Sequence, residues 1–438
     1  MEAPVSADKL RFLIYRFKER LWVKPLTFCL LSIAAVFFAK IIDGTPLAEH
    51  LPIIEQSSVE TLLSIMASSM LVIATFSTGT MVNAYTSASN SSTPRSVSLI
   101  IADDVSQNAL STFVGAFIFS VVAITSLKNA FYGDAGVFML FVLTCTVFAI
   151  VILTFIRWVD SIARLGRVGS TIQKVEDAAM KAIDHRLNNP RLGGFVQPNL
   201  TALKEQGAEP VYCEQTGYVQ LVDMTKAQNW CEHHNACLHI LVLPGDFVSP
   251  NNPVALIERT ATNPTSNKAS FESTEAAACE ANDIIKVGHE RSFEGDPRFG
   301  LIVLGEIAAR ALSPSVNDPG TAISIIGSYV RLFLCWAKKD EIRDKPTDEI
   351  VQFTRVSAPE LNTKDMFNDA FSPIARDGAN IIEVAIRMQK ALQVIAKCEN
   401  KDIQKYAQEQ ASIAYKKSMN TFQFEEDKGR LDETKWSD

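Results

Sequence analysis

Residues 61–94 read TLLSIMASSMLVIATFSTGTMVNAYTSASNSSTP, without one Lys, Arg, Asp or Glu. A charge-free apolar run longer than ~20 residues predicts a helix that crosses a bilayer. A helix that only anchored the chain in lipid would be built of Leu, Ile, Val and Phe. Here Thr61, Ser64, Ser68, Ser69, Thr75, Ser77, Thr78 and Thr80 interrupt the apolar residues. Hydroxyl and small side chains inside a membrane either let helices approach closely or line a hydrated path.

Three further spans lie around this one, at about 25–42, 108–127 and 135–156, with the quoted span centred on 59–85. Residues 1–157 carry ten basic and ten acidic side chains, so the net charge of −7 over 438 residues belongs to the rest of the chain. That acidic remainder argues against a nucleic-acid partner, which would require a basic stripe. Lys9, Arg11, Arg16, Lys18, Arg20 and Lys24 precede the first span, and Arg157, Arg164, Arg167 and Lys174 follow the fourth. The loop 43–58 has no basic residue and the loop after Leu127 has only Lys128. The positive-inside rule therefore predicts a multi-pass bacterial inner-membrane protein with both termini cytoplasmic. Eight scattered cysteines agree with a reducing compartment.

The expected organisation has five parts. Residues 1–24 form a basic amphipathic segment, either a helix on the inner membrane surface or a plain topogenic stretch, and 25–157 a four-span domain. Residues 158–187 continue span four as a membrane-exit helix. Residues 188–262 form a small β-rich module, and 263–438 a helical cytoplasmic domain. The fold class is thus membrane α-helical followed by a cytoplasmic α+β region. The segment 86–107 predicts a turn at Thr93-Pro94 and a short interfacial helix, with Arg95 able to pair with Asp103 or Asp104 or to bind lipid headgroups. In the module, Asp223 is placed to cap a helix ending at His234, with strands at 218–222, 238–243 and 254–257.

Two later helices open with the same device, Asp296-Pro297 and Asp318-Pro319, in which an Asp cap precedes Pro in the first turn. Arg291, Glu294, Arg298, Glu306 and Arg310 surround this hairpin, and its linker is Ser313-Pro314-Ser315-Val316-Asn317. The pattern fits a ligand or subunit site, or a well-capped hairpin with solvated charge pairs; base rates favour the second.

The run ERSFEGDPRFGLIVLGEIAARALSPSVNDPGTA, Glu290 to Ala322, resembles a bacterial family of predicted membrane proteins known as domain of unknown function 2254. Arg291, Asp296, Pro297, Ile307, Ala308, Ala311, Leu312, Ser313, Pro314, Asn317, Asp318, Pro319, Thr321 and Ala322 carry the resemblance, with Arg310 inside the run. Gly217-Tyr218, Pro244-Gly245-Asp246 and Pro94-Arg95 extend it. Where the family has Ser-Pro-Arg before the third span, this chain has Thr93-Pro94-Arg95. The resemblance implies no catalytic or binding residues.

Catalytic chemistry is not indicated: His233, His234 and His239 have no Ser or Cys in a nucleophile context. The run Cys231-Glu-His233-His234-Asn-Ala-Cys237 matches no common zinc spacing and predicts a helix end leading into a strand. No cofactor or metal is expected, and the chain is not expected to be an enzyme. A transporter would want an intramembrane carboxylate or broken helix. The expectation is a homo-oligomeric ion channel whose second span lines the path through Ser64, Ser68, Ser69, Leu71, Thr75, Phe76 and Thr78. Asp43, Glu49, Glu55 and Glu60, without a basic partner, lean it towards cations. Its partners are then the lipid bilayer, further copies of itself and inorganic ions. The alternative is a membrane-anchored sensor or scaffold that does not conduct.

Overall fold

The computed structural model describes residues 22–41, 43, 52–101, 104–164, 166–259, 284–338 and 351–436. The basic N-terminal segment lies almost wholly outside them, as do Glu49 and the side chains of Asp103 and Asp104 with which Arg95 was expected to pair. The chain divides into two compact units, residues 14–171 and 172–438 apart from the extreme N-terminus.

The first unit is helical. Its elements are α1 (Val23–Ile41), α2 (Gln56–Ser91), a 3₁₀ turn (Pro94–Ser96), α3 (Val97–Ile101), α4 (Asp104–Lys128) and α5 (Asp134–Ile162). Four of these, α1, α2, α4 and α5, are long and apolar enough to cross a bilayer. Their core joins Leu63, Met66 and Met70 of α2 to Phe113, Phe119 and Leu127 of α4 and to Leu140 and Trp158 of α5. At 1.5 Å per residue α2 is about 54 Å long, against a hydrocarbon core of ~30 Å. It therefore takes up residues 86–91, which the sequence had assigned to a loop. Thr93 then accepts from the Arg95 N–H and opens the turn into α3, as expected.

The fourth span does not continue as one exit helix. α5 stops at Ile162, and α6 (Val168–Asn188) starts afresh. Between them the Arg164 N–H bonds the Ser161 carbonyl and Gly166 adopts φ +81°. The apolar stripe runs through this break, so periodicity alone conceals it.

The second unit has two sheets and a helical part. Its strands are β1 (Gly194–Phe195), β2 (Glu209–Tyr212), β3 (Gly217–Val222), β4 (Ala236–Ile240), β5 (Phe247–Val248), β6 (Pro253–Arg259), β7 (Ile285–Gly288) and β8 (Phe353–Ser357). One sheet has the order β1-β8-β4-β6-β2, the other β5-β3-β7. β8 runs parallel to both β1 and β4. β7 and β8 come from the stretch expected to be helical, so the module is not confined to 188–262. Strand pairing over such separations leaves no local signal. Helix α7 (Leu200–Glu205) precedes β2, and α8 (Met224–His234), capped by Asp223, leads into β4 as expected.

The helical part contains α9 (Pro297–Ala311), α10 (Pro319–Trp336), α11 (Thr363–Asp377), α12 (Ile382–Ile395), α13 (Lys401–Thr421) and α14 (Glu425–Asp432). Tyr329 and Phe333 of α10 meet Phe367 and Phe371 of α11 in an aromatic cluster with ring centroids 4.2–5.8 Å apart. Such pairs are worth ~1 kcal/mol each beyond their area burial.

Candidate functional site

Helix α2 presents three sectors. Val59, Leu63, Met66, Met70, Ala74, Ser77 and Met81 are buried in the first unit. At 100° per residue, Ser57, Thr61, Ser64, Ser68, Leu71, Thr75, Thr78, Val82 and Thr86 form a second stripe. Every one of these is exposed. Leu62, Ile65, Val72 and Phe76 make a third, apolar stripe, also exposed. Five of the residues expected to line a path (Ser64, Ser68, Leu71, Thr75 and Thr78) thus share one face, and that face is turned away from the unit's own core. Ser69 is half-buried and Phe76 lies on the apolar stripe, its ring edge-on to Trp158 at 6.3 Å.

Thr61, Ser68, Thr75, Thr78 and Thr86 of the stripe donate their hydroxyl protons in one direction, to the preceding turn. Ser68 donates to the Ser64 carbonyl at 3.0 Å, Thr75 to Leu71 at 2.9 Å and Thr78 to Ala74 at 2.9 Å. This back-bonding to the preceding turn is how Ser and Thr tolerate an apolar helix. It uses the hydroxyl proton and leaves the oxygen lone pairs facing outward. The exposed faces of α1 and α5 differ: Leu30, Leu31, Phe37 and Phe38 on one, Phe148, Leu153, Ile156 and Val159 on the other. Those are lipid-like surfaces.

The acidic residues near this end are not a free ring. Asp43 bonds Lys40 at 3.2 Å and accepts the N–H groups of Gly133 and Gly136 at 2.8 and 2.6 Å. It therefore caps the start of α5. Burial works to raise its pKa, but these donors outweigh it and hold the carboxyl below its ordinary value. Glu60 pairs with Lys128 at 2.8 Å. Gly133, Gly136 and Lys128 reach these carboxylates only in the folded bundle, whereas Lys40 stands three residues before Asp43 in the chain.

In the second unit, the two Asp-Pro caps form as expected: Asp296 accepts from the Phe299 N–H and Asp318 from the Thr321 N–H. Their surroundings differ. Asp318 is exposed, and its carboxylate accepts from the backbone N–H and the hydroxyl of Thr321. Asp318→Ala should cost about 1 kcal/mol and Asp318→Asn much less, read as a shift in denaturation midpoint. The neighbouring Ser313, Pro314 and Asn317 form the loop of the hairpin, and Arg310 lies in the last turn of α9 before it. There Ser313 bonds the Arg310 carbonyl at 2.7 Å, and Asn317 takes a left-handed φ of +48°.

Asp296 is 2% exposed and bidentate to Arg291, at 2.8 and 3.0 Å. This is not the solvated pair that base rates favoured. Beside it lies Arg186 of α6, 3% exposed, whose Nη2 donates to the Gly295 carbonyl at 2.9 Å. Gly245 turns with φ +99°; a Cβ there would collide with the Asp296 carboxylate and stand 2.7 Å from Arg291 Nη2. Hence glycine is required in the Pro244-Gly245-Asp246 turn. Arg298 is drawn away to α11, bonding Asp369 at 2.7 Å and Asp365 at 3.2 Å. Burial pushes the Asp296 carboxyl up to about 6, against the pull of Arg291. Burial likewise lowers Arg186 to about 10, against Asp296 and Asp246. The sequence named Arg291 and Asp296. It did not name Arg186, whose only local signal is an Arg on the apolar side of an amphipathic helix.

α6 is held along the hairpin at other points too. Glu176 bonds Arg331 at 2.7 Å, and Ala179 packs so closely on Gly300 that a Cβ at 300 would overlap it.

The run 231–237 forms the helix end and strand start expected of it. His233 and His234 bond the carbonyls of Asn229 and Trp230. Burial raises the Cys231 thiol to about 12. Among the described residues no group of three His, Cys, Asp or Glu side chains is placed to hold a metal. His239 does meet a serine the sequence did not pair with it: Ser357 of β8, at 2.8 Å, with Glu258 3.1 Å from the other ring nitrogen. Ser357 is fully buried, which makes this a cross-strand bond rather than an accessible nucleophile.

The family model for predicted membrane proteins designated domain of unknown function 2254 matches residues 18–394, and the chain belongs to that family. Uncharacterized proteins of Mycobacterium tuberculosis (strain H37Rv) and Mycobacterium bovis are each 30% identical over 119 residues. That stretch is 27% of this chain and 22% of each relative, so the match spans about a fifth of the curated relatives' length. No solved structure matches.

Proposed function

We propose that this member of the family is a homo-oligomeric ion channel, with α2 of each copy turned towards a shared path. The observation that supports it is the exposed hydroxyl stripe of α2, set beside the large apolar faces of α1 and α5. In a bilayer, the latter suit lipid and the former suits water or another polar surface. Because the hydroxyl protons of Thr61, Ser68, Thr75, Thr78 and Thr86 are bonded to the helix's own carbonyls, the stripe offers oxygen lone pairs. An acceptor surface favours cations, and this replaces the unpaired acidic mouth as the ground for cation preference. Leu71 and Val82 are the apolar members of the stripe and supply a constriction. The Lys and Arg distribution supports an orientation with both termini in the cytoplasm of a bacterial inner membrane. The second unit is then a cytoplasmic regulatory domain. No catalytic step is part of this proposal.

A second reading has its own support: small and hydroxyl faces also pack tightly against one another, giving an anchored scaffold that oligomerises without conducting. Ion flux separates the two. Purified protein in vesicles loaded with potassium should dissipate a potassium gradient, and a choline gradient far more slowly. Vesicles that stay tight although the protein in them is oligomeric would leave the scaffold.

A further inference from the structure

The chain that leads from α5 to α6 rests on α2. At Gly166, where φ is +81°, a Cβ would stand 3.3 Å from the Ala84 carbonyl oxygen and 3.5 Å from Ser87 Cβ. The third atom it would meet, at 3.6 Å, is the Ala84 Cα, so all three belong to α2. Glycine is required there twice, by the left-handed backbone and by the close approach of two backbones. The helix touched is the one that carries the hydroxyl stripe, and Ala84 and Ser87 adjoin its members Val82 and Thr86 in the chain.

The first turn of α6 is tied to the same chain. Ser170 Oγ lies 2.9 Å from the Arg164 carbonyl and 2.8 Å from the Arg167 carbonyl, and the Thr171 N–H bonds the Arg167 carbonyl at 3.1 Å. From there α6 runs as one unbroken helix of 21 residues across the boundary between the two units. Its later turns are gripped within the second unit. Glu176 bonds Arg331 of α10 at 2.7 Å, Ala179 packs on Gly300 of α9, and Arg186 donates to the Gly295 carbonyl at 2.9 Å. The helix is thus a rod about 31 Å long, held by side chains at one end and by Ser170 and Thr171 at the other.

We propose that Gly166 is a strap through which the second unit sets the C-terminal end of α2. A shift of α6 with its partners carries Ser170, and with it the chain at Gly166. The contact with α2 is backbone on backbone, so it has no flexible side chain to absorb the shift. As regulation of conduction the strap rests on the reading of α2 as the wall of a path; as a mechanical coupling it does not.

Hydrogen–deuterium exchange of the full-length protein in detergent tests the strap, read in peptides covering 83–91. Glu176→Ala, which frees α6 from Arg331, should raise exchange there several-fold although residue 176 belongs to the other unit. Gly166→Ala, which forces the two backbones apart, should also raise it, and adding E176A to G166A should then add nothing, since the route is already cut. Gly169→Ala is the control: no atom lies within 4 Å of a Cβ at 169, so it should keep both the wild-type exchange and the response to E176A. Peptides from α12 and α13 should exchange as in wild type throughout, which reports a folded second unit. Exchange at 83–91 that ignores E176A, or that responds to it as strongly in G166A as in wild type, overturns the strap. Should G166A not fold, two glycines inserted after Arg164 give the chain slack and take its place, with the same expectation. Ion flux of the same variants in vesicles keeps the two readings apart: coupled exchange without flux in any variant supports the strap and overturns the path alone.

Discussion

Arg291→Met should lower the stability of the protein by about 3–5 kcal/mol at pH 8, the cost of breaking a buried pair by removing one partner. Asp296 is 2% exposed, so water does not replace the two hydrogen bonds that Arg291 gives it. Methionine fills much of the space of the arginine stem, which separates loss of charge from loss of packing. The pH dependence has a definite sign. The folded-state pKa of Asp296, about 6, stands above its ordinary value of 3.8. Its contribution to stability is therefore complete below about pH 4 and lost as pH rises through 6. Removing Arg291 takes away the chief influence that lowers this pKa, so the loss deepens and moves to higher pH. Wild type and R291M should differ least near pH 5 and most at pH 8, in thermal melts of the detergent-solubilised protein. Adding Asp296→Asn to R291M should recover part of the loss at pH 8, because it removes the orphaned carboxylate and keeps the cap. A double variant no more stable than R291M at pH 8 would show that the carboxylate was not what made the single change costly.

How far these features were legible depends on how local their causes are. The four long helices were readable because each is encoded by its own run of uncharged residues, and the caps at Asp223, Asp296 and Asp318 because a cap acts within three residues. The break after Ile162 was not, since it rests on the left-handed Gly166 inside an otherwise unbroken apolar stripe. The pairing of Asp43 with the start of α5, of Glu60 with Lys128 and of His239 with Ser357 depends on segments that meet only in the fold. Arg186 belongs to the same class: it lies 110 residues from Asp296 in the chain. β7 and β8 stayed hidden for that reason too, because β7 pairs antiparallel with β3 and β8 parallel with β1 and β4, all from remote sequence. What the sequence did convey about α2 was its hydroxyl content; which hydroxyls share an exposed face needed the structure.

Cysteine substitution along α2 should therefore divide its residues by sector rather than by depth. Cysteines at 64, 68, 71, 75 and 78 should react with a membrane-impermeant thiol reagent applied to protein in vesicles, if the hydroxyl stripe meets water. Those at 66, 70 and 74 should not, because these positions are packed inside the first unit. Those at 65, 72 and 76 should not either, although they are exposed, because lipid rather than water covers an apolar face. That third group distinguishes a hydrated path from a helix that is simply accessible, and it moves Phe76 from the path to its flank. Leu71 is the large apolar side chain in the middle of the reactive stripe, so it is the place to look for a dewetting constriction. Leu71→Ser should hydrate that constriction and raise basal potassium flux by about tenfold or more, which corresponds to ~1.4 kcal/mol off the barrier. Phe76→Ser should leave flux nearly unchanged. Protection of all eleven positions would mean that no water reaches α2, and the hydroxyl stripe would then be a dry contact between copies, as in the scaffold.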